Sequence, residues 1–588
     1  MEFKTETIET DVLIVGGGLA GCMAAIKASE TGLNVTIAEK ANTRRSGSAA
    51  TGIDHLWAYI PPVHEKMGWT VEDLIEDHVQ AVSDGRPVRR DLLRIMAETS
   101  YDRVMDLERF GINVRYDDSP VPGKFRIVHQ FHSNPSSFNF DGRTLKPTLT
   151  REARKRGIRI VNRVMITDIA TEGGHVCGAI GISTREPLVH CFKAKAVVLS
   201  TSGRLSRLSR SVLGNNFNRR LSPTGTTGDG KLLALGAGAE LVNCEYFGSL
   251  WSGLGFKNYS VAGGAPRNTV QPAARIVDAE GNVVIPRTRF YDWKNLGKTR
   301  ISAEESRRRN TEDRMERRRL LGKHFREGKK PLYLDFAEGT DEEISYAKWS
   351  MSHEGKMWIL MKYFEDNGVD LKKDKIELGS VDREGAANSA AGVWVSGDCE
   401  SRVTGLFAAG DELGGVPWSS GPGAITTGSH AGMVAAERAK QARYSIEINP
   451  EVLEKARERY VKLAEEKNGD PWLEIEYALQ DIMDSYIGEI TSDKMLTRGL
   501  ERLQDLEESG RLWADNPHDL MRCLEVQNLM DCARLILSAA KERKESRAIL
   551  RRSDFPDRDD KNWNVFLALS KTPNEDLVYR KISPEEKP

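Results

Sequence analysis

Residues 11–40 read DVLIVGGGLAGCMAAIKASETGLNVTIAEK, and their order decides the fold. DVLIV (11–15) is a short apolar run rich in β-branched residues, as in a strand buried on both faces of a parallel sheet. GGGLAG (16–21) sets Gly16, Gly18 and Gly21 at the spacing G-x-G-x-x-G. MAAIKASETG then carries a helical pattern that stops at Gly32, and LNVTIAEK (33–40) returns as a second strand ending at Glu39. Each part has a mechanical use. Gly16 permits a tight turn, Gly18 lets the backbone approach a pyrophosphate, and Gly21 lets helix and strand pack closely. The helix N-terminus favours phosphate charge, and Glu39 can accept both hydroxyls of an adenosine ribose. Strand, glycines, helix, strand and acid in this order specify a dinucleotide-binding unit far more narrowly than a lone glycine motif.

The unit alone does not separate FAD from NAD. The segment after Glu39 helps. Lys40 is followed by ANTRRSGSAATGIDH (41–55), whose small residues, Ser46 and Gly47 among them, suit a loop wrapped around a pyrophosphate and a flavin.

Composition bounds the rest. The chain has 588 residues, enough for roughly three to four domains, with 39% hydrophobic and 29% charged residues. Its net charge is -1, so bulk charge gives no reason to expect a nucleic-acid partner. No run approaches the roughly 20 apolar residues of a membrane helix. MEFKTETIET (1–10) lacks the apolar core of a signal peptide, so a cytoplasmic location is expected. The seven cysteines are scattered and form no CxxC, which argues against a disulfide framework, a structural zinc or an iron–sulfur cluster held by this chain.

Further strings follow in order. AVVLSTSG (196–203) has a strand and a glycine turn containing Thr201 and Gly203. TGTTGDGKLLALGAGAEL (224–241) sets Asp229 before an apolar helix, a favourable place for an acid. LYLDF (332–336) is a strand. GLFAAGD (405–411) is a strand ending at Asp411, at the sheet edge where ligands bind in doubly wound folds. TTGSHAG (426–432) contains Thr426 and His430, the latter following small residues at an expected helix start, and 523–566 closes on ESR…DFP…RDD…NW.

With these markers in this order the chain resembles, over nearly its whole length, the flavoprotein family of succinate dehydrogenase, fumarate reductase and adenylylsulfate reductase. The resemblance implies an α/β fold: a Rossmann-type FAD-binding domain at about 1–245 and 396–440, an inserted α+β capping domain at 246–395, and a C-terminal helical domain at 441–588. It implies FAD as cofactor, held by Gly16, Gly18, Gly21, Glu39, Lys40, Ser46, Gly47, Thr201, Gly203, Asp229, Asp411 and Thr426. For the electron partner it implies an iron–sulfur protein, with a soluble carrier as the alternative.

Departures from the family bear on chemistry. Succinate and fumarate enzymes bond their flavin to a histidine in the early loop; RRSGSAATG (44–52) has none, so FAD is expected to be non-covalent. Those enzymes also anchor substrate carboxylates with a histidine and an arginine, which are absent from GAANSAAGVW (385–394) and GGVPWSSGPGAITTGSHAG (414–432). A compact dianion needs such donors to offset its desolvation, so succinate and fumarate are unexpected substrates. RSGSAATG and TTGSHAG resemble the adenylylsulfate reductase side, and the C-terminal string the succinate dehydrogenase side.

In the cap, GGAPRNTVQPAARIVDAEGN (263–282) has the shape of the family's string around the proton-donating arginine, which makes Arg267 the first catalytic candidate; Lys257 and His430 follow. His129 and His132 have a weak metal-like spacing without a partner, and no metal site is expected. The charged stretch 304–331 reads as a solvated helix. Two readings come from other classes: a flavin-dependent RNA-modifying protein, and a non-catalytic assembly protein that keeps FAD. The first would call for a basic surface and a cysteine-based site.

Overall fold

The computed structural model describes residues 1–586 without 51, 54, 118, 120, 129–135, 204, 206, 210–222, 248–253, 257–273, 288–319, 321–323, 325–326, 328–330, 354–356, 381–389, 445, 467, 489 and 573. Lys257, Arg267, His129, His132 and most of the charged stretch 304–331 lie outside the described residues.

A five-stranded parallel sheet is built from β1 (Val12–Val15), β2 (Val35–Glu39), β3 (Arg159–Asn162), β4 (Ala196–Leu199) and β5 (Leu406–Ala408), in the order β5-β4-β1-β2-β3. All neighbours are parallel. β1 and β4 are buried at every position, which is why DVLIV and AVVL read as unbroken apolar runs. The register sets Val15 level with Ala38 and Leu199, and Leu199 level with Ala408. The next residues, Gly16, Glu39, Ser200 and Ala409, therefore emerge together at one carboxyl edge. Segments nearly 400 residues apart in sequence meet there.

Among the described helices that bear on that edge are α1 (Leu19–Ser29), α2 (Asp229–Gly236) and α3 (Ser420–Gln441). α1 follows the glycine turn and is buried almost all round. α2 is short, ending before the full apolar run GKLLALGAGAEL is used. α3 packs on α1 through Gly428 and Gly432. A Cβ on Gly428 would stand 2.6 Å from the Ala20 carbonyl oxygen, and one on Gly432 2.2 Å from that of Ala24. Only glycine allows so close an approach.

The strands Arg275–Asp278, Val283–Ile285, Leu332–Asp335 and Ile376–Ser380 join Leu254–Phe256 in a separate antiparallel sheet. It has a small core of its own around Ile276, Leu334, Phe336 and Phe364. Towards the C-terminus, α4 (Trp472–Tyr486) and α5 (Pro517–Glu542) pack with Asp493–Ser509. Asn516–Pro517 is the start of α5: the Asn516 side chain accepts from the His518 and Asp519 N–H groups, and proline takes the first helical position. The chain does not finish as helix. Phe566–Lys571 and Leu577–Ile582 form a hairpin that pairs back onto Leu241–Val242. Among the described residues no helix is long and apolar enough to cross a membrane.

Candidate functional site

The carboxyl edge of the sheet opens into a cavity of about 690 Å³. Of the residues singled out in the sequence, Gly16, Gly18, Glu39, Lys40, Ser46, Gly47, Thr201, Asp229 and Asp411 line it. Gly21, Gly203 and Thr426 stand behind the wall. A Cβ on Gly21 would meet the Gly16 carbonyl oxygen at 1.9 Å, and one on Gly203 that of Asp411 at 2.1 Å, so both glycines serve packing. Thr426 Oγ1 donates to the Pro422 carbonyl within α3. His430 does not line the cavity either. It lies in the third turn of α3, not at a helix start, with Nε2 3.2 Å from the Gly397 carbonyl oxygen. Burial pulls its pKa below the usual histidine value.

The glycine turn is held from below. Gly16 has φ +98°, a left-handed backbone that glycine adopts readily. Glu39 is buried, its Oε2 accepting from Gly17 N–H at 2.6 Å and its Oε1 from Ala41 N–H at 2.6 Å. The buried Lys146 ammonium donates to the Gly17 carbonyl. Gly18, the N-cap of α1, offers no side-chain cap, and Gly18, Leu19 and Ala20 line the cavity, so the open N-terminus of the helix lies at its wall.

Lys40 is clamped at this end. Its Nζ stands 2.7 Å from Asp229 Oδ2, 2.9 Å from Glu525 Oε1 and 3.1 Å from Thr227 Oγ1. Burial works against its charge, but Asp229 and Glu525 outweigh it and hold its pKa above the ordinary lysine value. Glu525, 1% exposed, also accepts from Arg522 at 2.7 Å and from the buried Arg207. Burial opposes the Glu525 carboxylate, yet Lys40, Arg207 and Arg522 bring its pKa down to about 2. Arg207 in turn grips Glu476 of α4, Nη2 to Oε2 at 2.6 Å. Beneath Thr201, the fully buried Glu412 accepts from Thr201 Oγ1 at 2.7 Å. Burial pushes its carboxyl up, with Lys231 opposing.

A third group is aromatic. Trp57, from the strand His55–Trp57, lies with its ring centroid 4.4 Å from that of His78, and His78 Nε2 is 3.4 Å from the Pro417 carbonyl oxygen beside Trp418. His55, Trp57, His78 and Trp418 all line the cavity. Burial takes the His78 pKa down to about 4, so the imidazole is neutral at pH 7. Trp418 and Ser420 have φ of +58° and +41°, uncommon for residues with side chains and typical of strained functional turns.

Sequence reasoning missed Glu412, Lys146, His55, Trp57, His78 and the wall from α5. Only the last left a signal, the spacing of residues 518, 521, 522 and 525 on one helix face.

The cavity suits a flavin dinucleotide. It offers a glycine cradle, an uncapped helix end and the ribose acid. Ser48 Oγ, Trp57 Nε1 and Ser202 Oγ are buried in its wall without a hydrogen-bond partner among the described residues. Comparison with known proteins decides the matter. Residues 11–425 match the FAD binding domain model, and residues 476–587 match that of the fumarate reductase flavoprotein C-terminus. The chain belongs to the fumarate reductase/succinate dehydrogenase flavoprotein family. It is 26% identical to a fumarate reductase (CoM/CoB) subunit from Methanothermobacter marburgensis, covering 94% of this chain and 96% of that one. It is 23% identical to the alpha subunit of adenylylsulfate reductase from Megalodesulfovibrio gigas, covering 97% and 95%. The fold matches that of adenylylsulfate reductase from Archaeoglobus fulgidus with a TM-score of 0.81 at 24% identity, over 99% and 97% of the two chains.

As a member of this flavoprotein family the chain is an FAD-dependent oxidoreductase. Its FAD is non-covalent. Gly47 stands in the loop without a histidine, at φ +78°, where a Cβ would approach Gly18 Cα to 3.2 Å. A histidine there would be both strained and crowded.

Proposed function

We propose that this flavoprotein exchanges two electrons between a small, non-dicarboxylate substrate and an iron–sulfur partner protein. FAD, when bound, supplies the electron exchange at its ring. The chain's residues divide the remaining work. Gly16, Gly18, Glu39, Lys40, Ser46, Gly47, Thr201, Asp229 and Asp411 hold the cofactor, with Gly21, Gly203 and Thr426 shaping the ground behind them. Substrate enters between the 246–395 region and the aromatic end of the cavity. Arg267, then Lys257, is the candidate for anchoring it or giving it a proton; His430 falls behind them because it stands outside the cavity wall.

The observation that carries the substrate reading is the uncharged wall of Trp57, His78 and Trp418. It accompanies the missing histidine and arginine anchors in 385–394 and 414–432. The partner reading draws on the relatives, which by name are subunits of larger enzymes, and on this chain's lack of any CxxC.

The relative from Methanothermobacter is named a fumarate reductase, so fumarate is the substrate to test against. With reduced viologen as donor, little fumarate-dependent oxidation is expected. Turnover at an ordinary enzyme rate, on the order of ten per second, would defeat the reading. Iron analysis of chains co-purified from the native host tests the partner. Arg267→Ala should keep FAD content and lower substrate-dependent flavin reduction or reoxidation roughly a hundredfold. The control, Glu39→Ala, should lose FAD first.

A further inference from the structure

The face that α5 turns towards the cavity is regular. His518, Met521, Arg522 and Glu525 follow the i, i+3, i+4, i+7 spacing, and all four are in the wall. Further along the helix, Asn528 donates to Asp229 Oδ1 at 3.0 Å. Cys532 packs against Gly228, where a Cβ would stand 2.4 Å from its Sγ. The helix thus closes the cavity beside Lys40, the residue that follows Glu39.

Its attachment there is ionic. Glu525 reaches Lys40, which directly follows the ribose acid, and its other oxygen binds Arg207 and Arg522. A carboxylate this buried is stable only while those cations surround it. Removing its charge leaves Lys40 paired with Asp229 and frees it to turn from the cavity.

We propose that the N-terminal half of α5 is a wall of the FAD site over the adenosine diphosphate half, and that Glu525 is its positioning residue, holding Lys40 in the wall and the helix on the cofactor. FAD binding and docking of the C-terminal helices are then linked: each stabilises the other by the same free energy. This rests on the cavity being the FAD site and is independent of any choice of substrate.

The test uses the full chain stripped of flavin. Amide hydrogen exchange across 517–526 is followed alone, with FAD, with ADP and with riboflavin. FAD and ADP should slow exchange about tenfold or more, and riboflavin should leave it unchanged. Glu525→Gln should raise the Kd for FAD about tenfold or more and shrink the rise in Tm that FAD produces. Met521→Ala touches no ion pair and should raise Kd about threefold or more, so it decides the matter if Glu525→Gln does not fold. Unchanged exchange on FAD addition, equal protection by riboflavin, or wild-type Kd in Met521→Ala would each overturn the proposal.

Discussion

His78 shows how burial and charge set behaviour at a single residue. Its folded pKa of about 4 lies below the roughly 6.5 of an unfolded histidine. Between those values the unfolded chain binds the proton and the folded chain does not, so stability falls as pH drops from about 6.5 towards 4 and then levels off. Glu525 has the same sign in a lower window: with its pKa lowered to about 2, it supports the fold above the ordinary carboxylate value of about 4.3 and loses that contribution as pH falls from there towards 2. The two windows barely overlap. His78→Gln should therefore flatten the pH dependence between about 7 and 5. The wild type should lose about 2 kcal/mol more than the variant over that interval, as read from urea unfolding at each pH. Equal losses would mean that His78 is accessible to protons in the folded state.

Helix against helix, the decisive contact is α1 on α3. Gly428 and Gly432 are one turn apart and face Ala20 and Ala24, also one turn apart, so the helices touch backbone to backbone. α1 follows the glycine turn that lines the cavity, the loop leading into α3 brings Asp411 and Trp418 to it, and α3 opens there with Ser420. The spacing between these two helices fixes the width of the site. Gly432→Ala places a methyl where the Ala24 carbonyl stands and should cost about 1–3 kcal/mol. The denaturant midpoint should fall with little change in slope, and the bound flavin should dissociate faster. A neutral result would show that α3 can slide along α1 without cost.

Across the whole molecule, distant parts of the chain are locked together by buried charge. Arg543, fully buried just beyond α5, donates to Glu245 Oε1 at 2.8 Å and to Glu545 Oε1 at 2.7 Å. It also donates to the carbonyls of Trp563 and Val565 at 2.9 and 3.0 Å. Glu545 also accepts from Arg547 at 2.6 Å, and Arg547 reaches the Gly85 carbonyl. Taking one partner away leaves the others buried and unpaired, which is far costlier than never having had them. Arg543→Leu should lower stability by about 3–5 kcal/mol, measured by chemical denaturation. Glu245→Gln should cost less, because the amide still accepts from the guanidinium.

How much of this could be read from the chain alone follows from the range of the interactions. The βαβ unit is legible because its parts are adjacent: DVLIV, the glycines and Glu39 obey local rules of turn, helix end and strand. The same holds for AVVL and LFAA as strands, and for Asp229 at its helix start. The absence of a histidine at Gly47 is legible too, and the left-handed backbone there gives it a physical reason. His430 misleads because a helical pattern of small residues does not mark its own first turn; α3 begins at Ser420 and carries the histidine past the cavity. The C-terminal hairpin reads as helix because its partner, Leu241–Val242, is more than 300 residues away. What only the tertiary structure decided is which faces meet. The stripe from His518 to Glu525 is visible as a spacing, but nothing local says that it faces Lys40. Likewise, Trp57, His78 and Trp418 come from three segments whose meeting depends on packing, and packing is a property of the whole chain.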